Sequence, residues 1–112
     1  MAGRIFITGL GIISGIGNNL QENLLSLLNS RSGICDIKYL ETPLRGVIPV
    51  SEVKLSNSEL FQLAGITEQE GYSRNALLGI IAAREAYNNA LLLNTPLLKT
   101  GLISATTVGG MV

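Results

Sequence analysis

The 112-residue chain carries eight basic and eight acidic residues, no histidine and one cysteine. Zero net charge without a basic run argues against nucleic acid or an anionic membrane surface as the main partner, and a lone Cys35 excludes an internal disulfide. Charged residues make up 14% and hydrophobic ones 46%, against about 25% charged in an average soluble domain. A small domain has more surface per residue than a large one and should be the more charged. The deficit implies surface normally covered by further chain or a partner, so the sequence reads as a severed piece of a larger fold.

Residues 4–8 form a β-branched and aromatic run that predicts a short strand, apolar on both faces as in a buried parallel sheet and ended by Gly9 and Gly11. Arg4 before an uncharged run to Gln21 has the outline of a signal peptide. That run is broken by Gly9, Gly11, Gly15 and Gly17 and has no small-x-small cleavage site, so none is expected. Asn19 with Glu22 predicts a capping box, followed by a helix with Leu20, Leu24, Leu27 and Leu28 on one face and a stop at residues 30–33. Residues 34–40 and 46–50 are extended candidates; Pro43 and Pro49 suit them to an edge hairpin or an excursion rather than a core strand. Ser56 with Glu59 opens a short helix through Ala64, and Thr67 with Glu70 is a third capping box.

The chain is expected to be organised around a helix over residues 73–92. Ala76, Gly79, Ala82, Ala83, Ala86 and Ala90 recur there with Leu77, Ile80, Ile81, Tyr87 and Leu91, so nearly the whole circumference is apolar, the pattern of a buried helix. A turn at Asn94-Thr95-Pro96 leads into a strand over residues 101–108, closed by Gly109 and Gly110. Strand, helices and strand predict a βαβ crossover with residues 5–8 and 102–106 parallel and adjacent. Two strands are too few for a stable sheet, and their outer edges call for strands this chain does not contain. No stretch reaches the roughly 20 apolar residues of a membrane span, and no internal domain boundary is visible over residues 1–112.

Few residues could carry chemistry. The glycines at 9, 11, 15 and 17 imitate a dinucleotide turn, but Ser14 stands where the G-x-G-x-x-G fingerprint needs glycine, and the dehydrogenase-type spacing fails as well. Asp36, near the place of a ribose-binding acid, and Asn88-Asn89-Ala90, a dehydrogenase-like run at a helix end, do not repair that spacing, so no cofactor is expected. Cys35 lacks a base and neighbours the Asp36 carboxylate, which favours a buried structural thiol over a nucleophile. Without histidine and with one cysteine, no zinc site is expected. Tyr72-Ser73-Arg74 reads as capping and surface charge.

Three separated stretches resemble one family. Ile7-Thr8-Gly9-Leu10-Gly11-Ile12-Ile13-Ser14 with Ile16-Gly17-Asn18-Asn19, Leu27-Leu28 and Ser32-Gly33-Ile34 is similar to the start of β-ketoacyl-[acyl carrier protein] synthases. Tyr72-Ser73-Arg74, Ala76-Leu77 and the run from Ala82 to Ala86 are similar to that family's core helix, and residues 101–110 to its next strand. Gly15 and Gly71 stand where the family commonly has proline and arginine. The resemblance implies an α/β, thiolase-like fold of which this chain is the incomplete first half. It implies decarboxylative Claisen condensation of an acyl thioester with malonyl carrier protein, in fatty-acid or polyketide-type synthesis. Acyl carrier protein as partner, a homodimer or pseudo-dimer and a cytoplasmic location come with it. The cysteine nucleophile and the oxyanion-stabilising histidines fall beyond Val112, so no catalytic residue is expected here. Val108 is the expected wall of the acyl pocket, with Gly109 and Gly110 forming the turn after it. A non-catalytic subunit of chain-length-factor type is the alternative, and a dinucleotide-binding oxidoreductase piece a weaker one.

Overall fold

The computed structural model describes residues 3–68, 71–94, 98–107 and 109. Three helices and one two-stranded ribbon follow in the order α1 (Leu20–Leu28), β1 (Cys35–Asp36), β2 (Pro49–Val50), α2 (Asn57–Ala64) and α3 (Arg74–Asn89), with a 3₁₀ turn at Leu92–Asn94. Local chemistry sets these limits. The Asn19 side chain accepts from the Glu22 N–H at the start of α1, and the Ser73 hydroxyl accepts from the Ala76 N–H at the start of α3. At α2 the full capping box forms between Ser56 and Glu59. Gly65 ends α2 at φ 66°, a left-handed conformation that costs glycine little. Its N–H donates to Gln62 O while that of Ile66 donates to Phe61 O, the Schellman closure. The third predicted capping box includes Glu70, outside the described residues; the cap of α3 is Ser73.

The predicted edge hairpin is present: β1 and β2 pair antiparallel, Cys35 opposite Val50 and Asp36 opposite Pro49. The loop between them is gathered by Glu52, whose carboxylate accepts from the N–H groups of Lys38 (2.7 Å), Tyr39 (3.1 Å) and Leu40 (2.8 Å). Cys35, expected buried, is half-buried at the rim of this ribbon, its Sγ 3.4 Å from Lys54 Nζ.

The core lies where α2 crosses α3. Leu60 and Leu77 are 0% and 1% exposed, joined by Phe61, Ala64 and Ile81 and flanked by Ile13, Val53, Leu55 and Ile66. Tyr72 meets Phe61 edge to face, ring centroids 6.0 Å apart. Arg74 anchors the chain before α2, donating to Val53 O at 2.8 Å and Asn57 Oδ1 at 3.0 Å. Tyr72-Ser73-Arg74 is thus a packing, capping and anchoring unit.

Three expectations require correction. The parallel βαβ crossover is not seen: residues 4–8 and 101–106 have no strand pairing, and Ile5 and Ile103 are 98% and 99% exposed. A strand apolar on both faces needs neighbours along both edges, and the only strands among the described residues belong to the short ribbon. Next, α3 is not buried all round. Leu77 and Ile81 face the core, while Ala76, Gly79 and Ala83 are exposed. It also ends at Asn89 rather than residue 92, because Leu91 adopts φ 55° and turns the chain. Last, α1 is inverted. Its buried residues are Asn23 and Ser26, whereas Leu24, Leu25, Leu27 and Leu28 are exposed, Leu28 to 72%. The polar side is held by hydrogen bonds from Asn23 Nδ2 to Gly17 O and from Ser26 Oγ to Ile16 O.

Truncating Leu60→Ala is expected to cost about 2–5 kcal/mol, read from the urea midpoint of the isolated chain. The Glu52 carboxyl is pushed up by desolvation but held below the usual carboxylate range by its three N–H donors, with the Arg74 charge adding to their effect. A depressed folded-state pKa contributes stability that is present above the unfolded value, about 4.3, and lost as pH falls through the folded one. Wild type should therefore lose more stability than Glu52→Gln across that acidic window in urea titrations at stepped pH.

Candidate functional site

The Gly-rich segment before α1 is held by a network of backbone and side-chain hydrogen bonds, and it lies against α3. Gly9 and Gly11 approach the helix at backbone contact. A Cβ at Gly9 would stand 2.6 Å from Ala90 N, and one at Gly11 2.7 Å from Ala86 N, with Ala86 O and Ala82 O nearer still. The small residues Ala82, Ala86 and Ala90, spaced by four, form the groove that admits this segment. Two α3 side chains fasten it. Asn89 Oδ1 accepts from the Leu10 N–H at 3.0 Å. Glu85 spans two elements, its Oε2 accepting from the Ile12 N–H at 2.9 Å and its Oε1 from the Leu20 N–H at 2.7 Å. Leu20 opens α1, so a carboxylate sits where that helix's partial positive end favours it.

Ser14 and Gly17 close a tight turn through the Ser14 N–H to Gly17 O (2.9 Å). The Ser14 hydroxyl donates to Asn23 Oδ1 and accepts from the Ile16 N–H. A Cβ on Gly17 would meet Asn23 N at 2.5 Å, and one on Gly33 would meet Gly15 O at 2.6 Å. A pyrophosphate cradle needs free N–H groups. Those of Leu10, Ile12, Ser14, Ile16, Gly17 and Asn18 are bound within the protein. The glycines here serve close packing. Asp36 lies in β1, and Asn89 tethers Leu10.

A groove of about 850 Å³ runs beside this hub, lined by Asn18, Glu22, Glu59, Arg84, Glu85 and Asn88 among others. Its carboxylates already accept from backbone: Glu22 from Asn18 at 2.7 Å, Glu59 from Ser56 at 2.7 Å, and Glu85 as above. The Glu59 carboxyl is held below its ordinary range by the Ser56 N–H and then the Ser56 hydroxyl, with the Lys38 charge aiding. Among the described residues no group of three or more His, Cys, Asp or Glu side chains is placed to hold a metal ion.

Of the predicted acyl-pocket residues, Val108 and Gly110 lie outside the described residues. Gly109 lines a second groove, about 1130 Å³, between α3 (Ala76, Gly79, Ala83) and residues 102–107. A Cβ there would crowd the Thr106 side chain, with Oγ1 at 3.1 Å. Sequence reasoning missed Glu85, Asn89 and Glu52. A lone acid in an apolar helix was the available signal for Glu85, but its partners lie 65 and 73 residues away.

No family model matches the chain, and no solved structure does. Known synthases match it in part. The chain is 60% identical over 38 residues to 3-oxoacyl-[acyl-carrier-protein] synthase 1 of Buchnera aphidicola subsp. Baizongia pistaciae, covering 34% of this chain and 9% of that protein. It is 68% identical over 31 residues to the synthase 1 of Escherichia coli K12, covering 28% of this chain and 8% of the other. Across 110 residues it is 29% identical to 3-oxoacyl-[acyl-carrier-protein] synthase 2 of Synechocystis sp. PCC 6803, covering 96% of this chain and 26% of that one. The chain is thus homologous to part of the β-ketoacyl synthases and spans about a quarter or less of these relatives. No helix among the described residues is long and apolar enough to cross a membrane.

The two small-residue sides of α3 give opposite expectations. Gly11→Ala should destabilise the chain, because the methyl group meets helix backbone rather than a movable side chain. A Cβ on Gly79 meets nothing within 4 Å, so Gly79→Ala should stabilise it by about 0.4–1 kcal/mol. Urea denaturation of the pair checks both signs.

Proposed function

We propose that this chain contributes a scaffold portion of a β-ketoacyl-[acyl carrier protein] synthase of thiolase-like fold, one that joins an acyl thioester to malonyl carrier protein by decarboxylative condensation. The observation that carries the reading is the 110-residue alignment with a 3-oxoacyl-[acyl-carrier-protein] synthase, supported by the denser identity with the two type 1 synthases. The absence of histidine agrees with a scaffold role. On this reading the thiol nucleophile and the oxyanion-stabilising groups are supplied by other parts of the synthase, acyl carrier protein delivers the substrates, the protein works as a dimer in the cytoplasm, and residues 1–112 belong to one domain.

Within that enzyme Val108, with Gly109 and Gly110, forms a wall of the acyl-binding site. A β-branched side chain there removes volume from an apolar tunnel, and each methylene admitted or excluded is worth about 0.8 kcal/mol, enough to shift preference several-fold.

The test is a chimera in which this chain replaces the aligned stretch of the Synechocystis synthase. Condensation of acyl and malonyl carrier proteins by the chimera is expected, and none by the isolated 112 residues; an insoluble or inactive chimera would sink the reading. In the chimera Val108→Phe should shorten the accepted acyl chains and Val108→Ala should not, as read from product profiles. Profiles matching the parent for both variants would remove Val108 from the pocket.

A further inference from the structure

A third pocket, of about 260 Å³, is lined by Ser14, Gly15, Glu22, Arg31, Ser32 and Lys54 among others. It falls below the roughly 300–1,000 Å³ of sites for drug-sized ligands, so its scale is that of a small ion with part of its water. Two cations line it, Arg31 from before β1 and Lys54 from after β2. Neither has an acidic partner. Among the described residues the Arg31 guanidinium makes no hydrogen bond or ion pair, and Lys54 Nζ donates to Gly33 O at 2.9 Å and the Cys35 sulfur at 3.4 Å rather than to a carboxylate. Those two bonds orient the ammonium without neutralising it.

The uncharged lining adds donors. The Ser32 hydroxyl accepts from the Ile34 N–H but donates to no group among the described residues, and the Gly15 N–H finds no acceptor there either. One lining group opposes an anion, the Glu22 carboxylate, whose Oε2 accepts from the Asn18 N–H at 2.7 Å. Two cations therefore face one carboxylate. A guanidinium fork matches paired oxygens, and an ammonium adds a compact point charge. A tetrahedral oxyanion presents oxygens in several directions and can meet Arg31, Lys54 and Ser32 together, where a planar carboxylate has two oxygens to share among them. A dinucleotide is too large for this volume, and most amides of the adjoining turn are already bound.

We propose that Arg31 and Lys54 form a binding site for a small phosphate-type oxyanion, with Ser32 and Gly15 as its neutral donors. The bound ion ties together the end of α1, the Ser14–Gly17 turn and the segment entering α2. The inference needs no alignment and stands apart from the family reading.

The test titrates inorganic phosphate into the whole 112-residue chain at constant ionic strength set with sodium chloride, followed by calorimetry and ¹⁵N chemical shifts. Saturable binding in about the millimolar range is expected because both cations are solvent-exposed, with the main shifts at the Gly15 amide and Arg31 Nε. Arg31→Gln and Lys54→Gln should each weaken it about tenfold, and Glu22→Gln should tighten it about twofold. Lys99→Gln, outside the pocket, should change nothing. Arg31 has no protein partner to lose among the described residues, so Arg31→Gln should keep the urea midpoint and its lost affinity reads the site rather than the fold. Phenyl phosphate separates the two sources of the same chemistry: binding equal to that of phosphate marks a phosphoryl group on a larger molecule, and weaker binding marks the free ion. No saturation, acetate binding as tightly as phosphate, or an isotherm unchanged in both Arg31→Gln and Lys54→Gln would each overturn the proposal.

Discussion

The fold depends on the contact between a glycine-bearing segment and an alanine-lined helix, fastened by one carboxylate. Gly9 and Gly11 remove the side chains that would hold the N-terminal segment off α3, and Ala82, Ala86 and Ala90 remove those on the other side. Backbone then lies close enough for Glu85 and Asn89 to collect the Leu10, Ile12 and Leu20 N–H groups. Without Glu85 the Ile12 and Leu20 donors would lose their protein acceptor, and the first turn of α1 its anion. The position of α1, the Ser14–Gly17 turn and the groove beside them all follow from this one attachment.

Around that attachment the molecule is divided. From Ser56 to Ile81 it resembles an ordinary small core, with Leu60 and Leu77 sealed between α2 and α3. Outside it, the leucines of α1 and the apolar runs near either end have no cover. The low charge content and positive mean hydropathy of +0.39 express the same fact in composition.

Features governed by neighbours along the chain are legible in the sequence. Asn19, Ser56, Glu59 and Ser73 cap helices, Ala64 ends one, and Pro49 lies in an edge ribbon. What depends on tertiary contacts, near or far along the chain, is not. The leucine stripe of α1 is a sound amphipathic pattern, yet hydrogen bonds from Asn23 and Ser26 to the preceding turn orient that helix the other way. The apolar circumference of α3 signals burial, but only the side covered by α2 is fully sealed. Residues 4–8 and 101–106 have strand composition without strand partners. At the site, the failed nucleotide spacing is legible in the sequence; the packing of Gly9 and Gly11 on α3 and the tethers from Glu85 and Asn89 are not, since no local pattern encodes hydrogen bonds across 65 to 79 residues.

The same separation bears on how the chain is made. A ribosome adding about 5–20 residues per second needs roughly 4–16 s to travel from Ile12 to the end of α3, and until then the exposed Ile5, Phe6 and Ile7 precede a segment whose acceptors do not yet exist. During that interval the Leu10 and Ile12 N–H groups lack the side-chain acceptors that hold them in the folded chain.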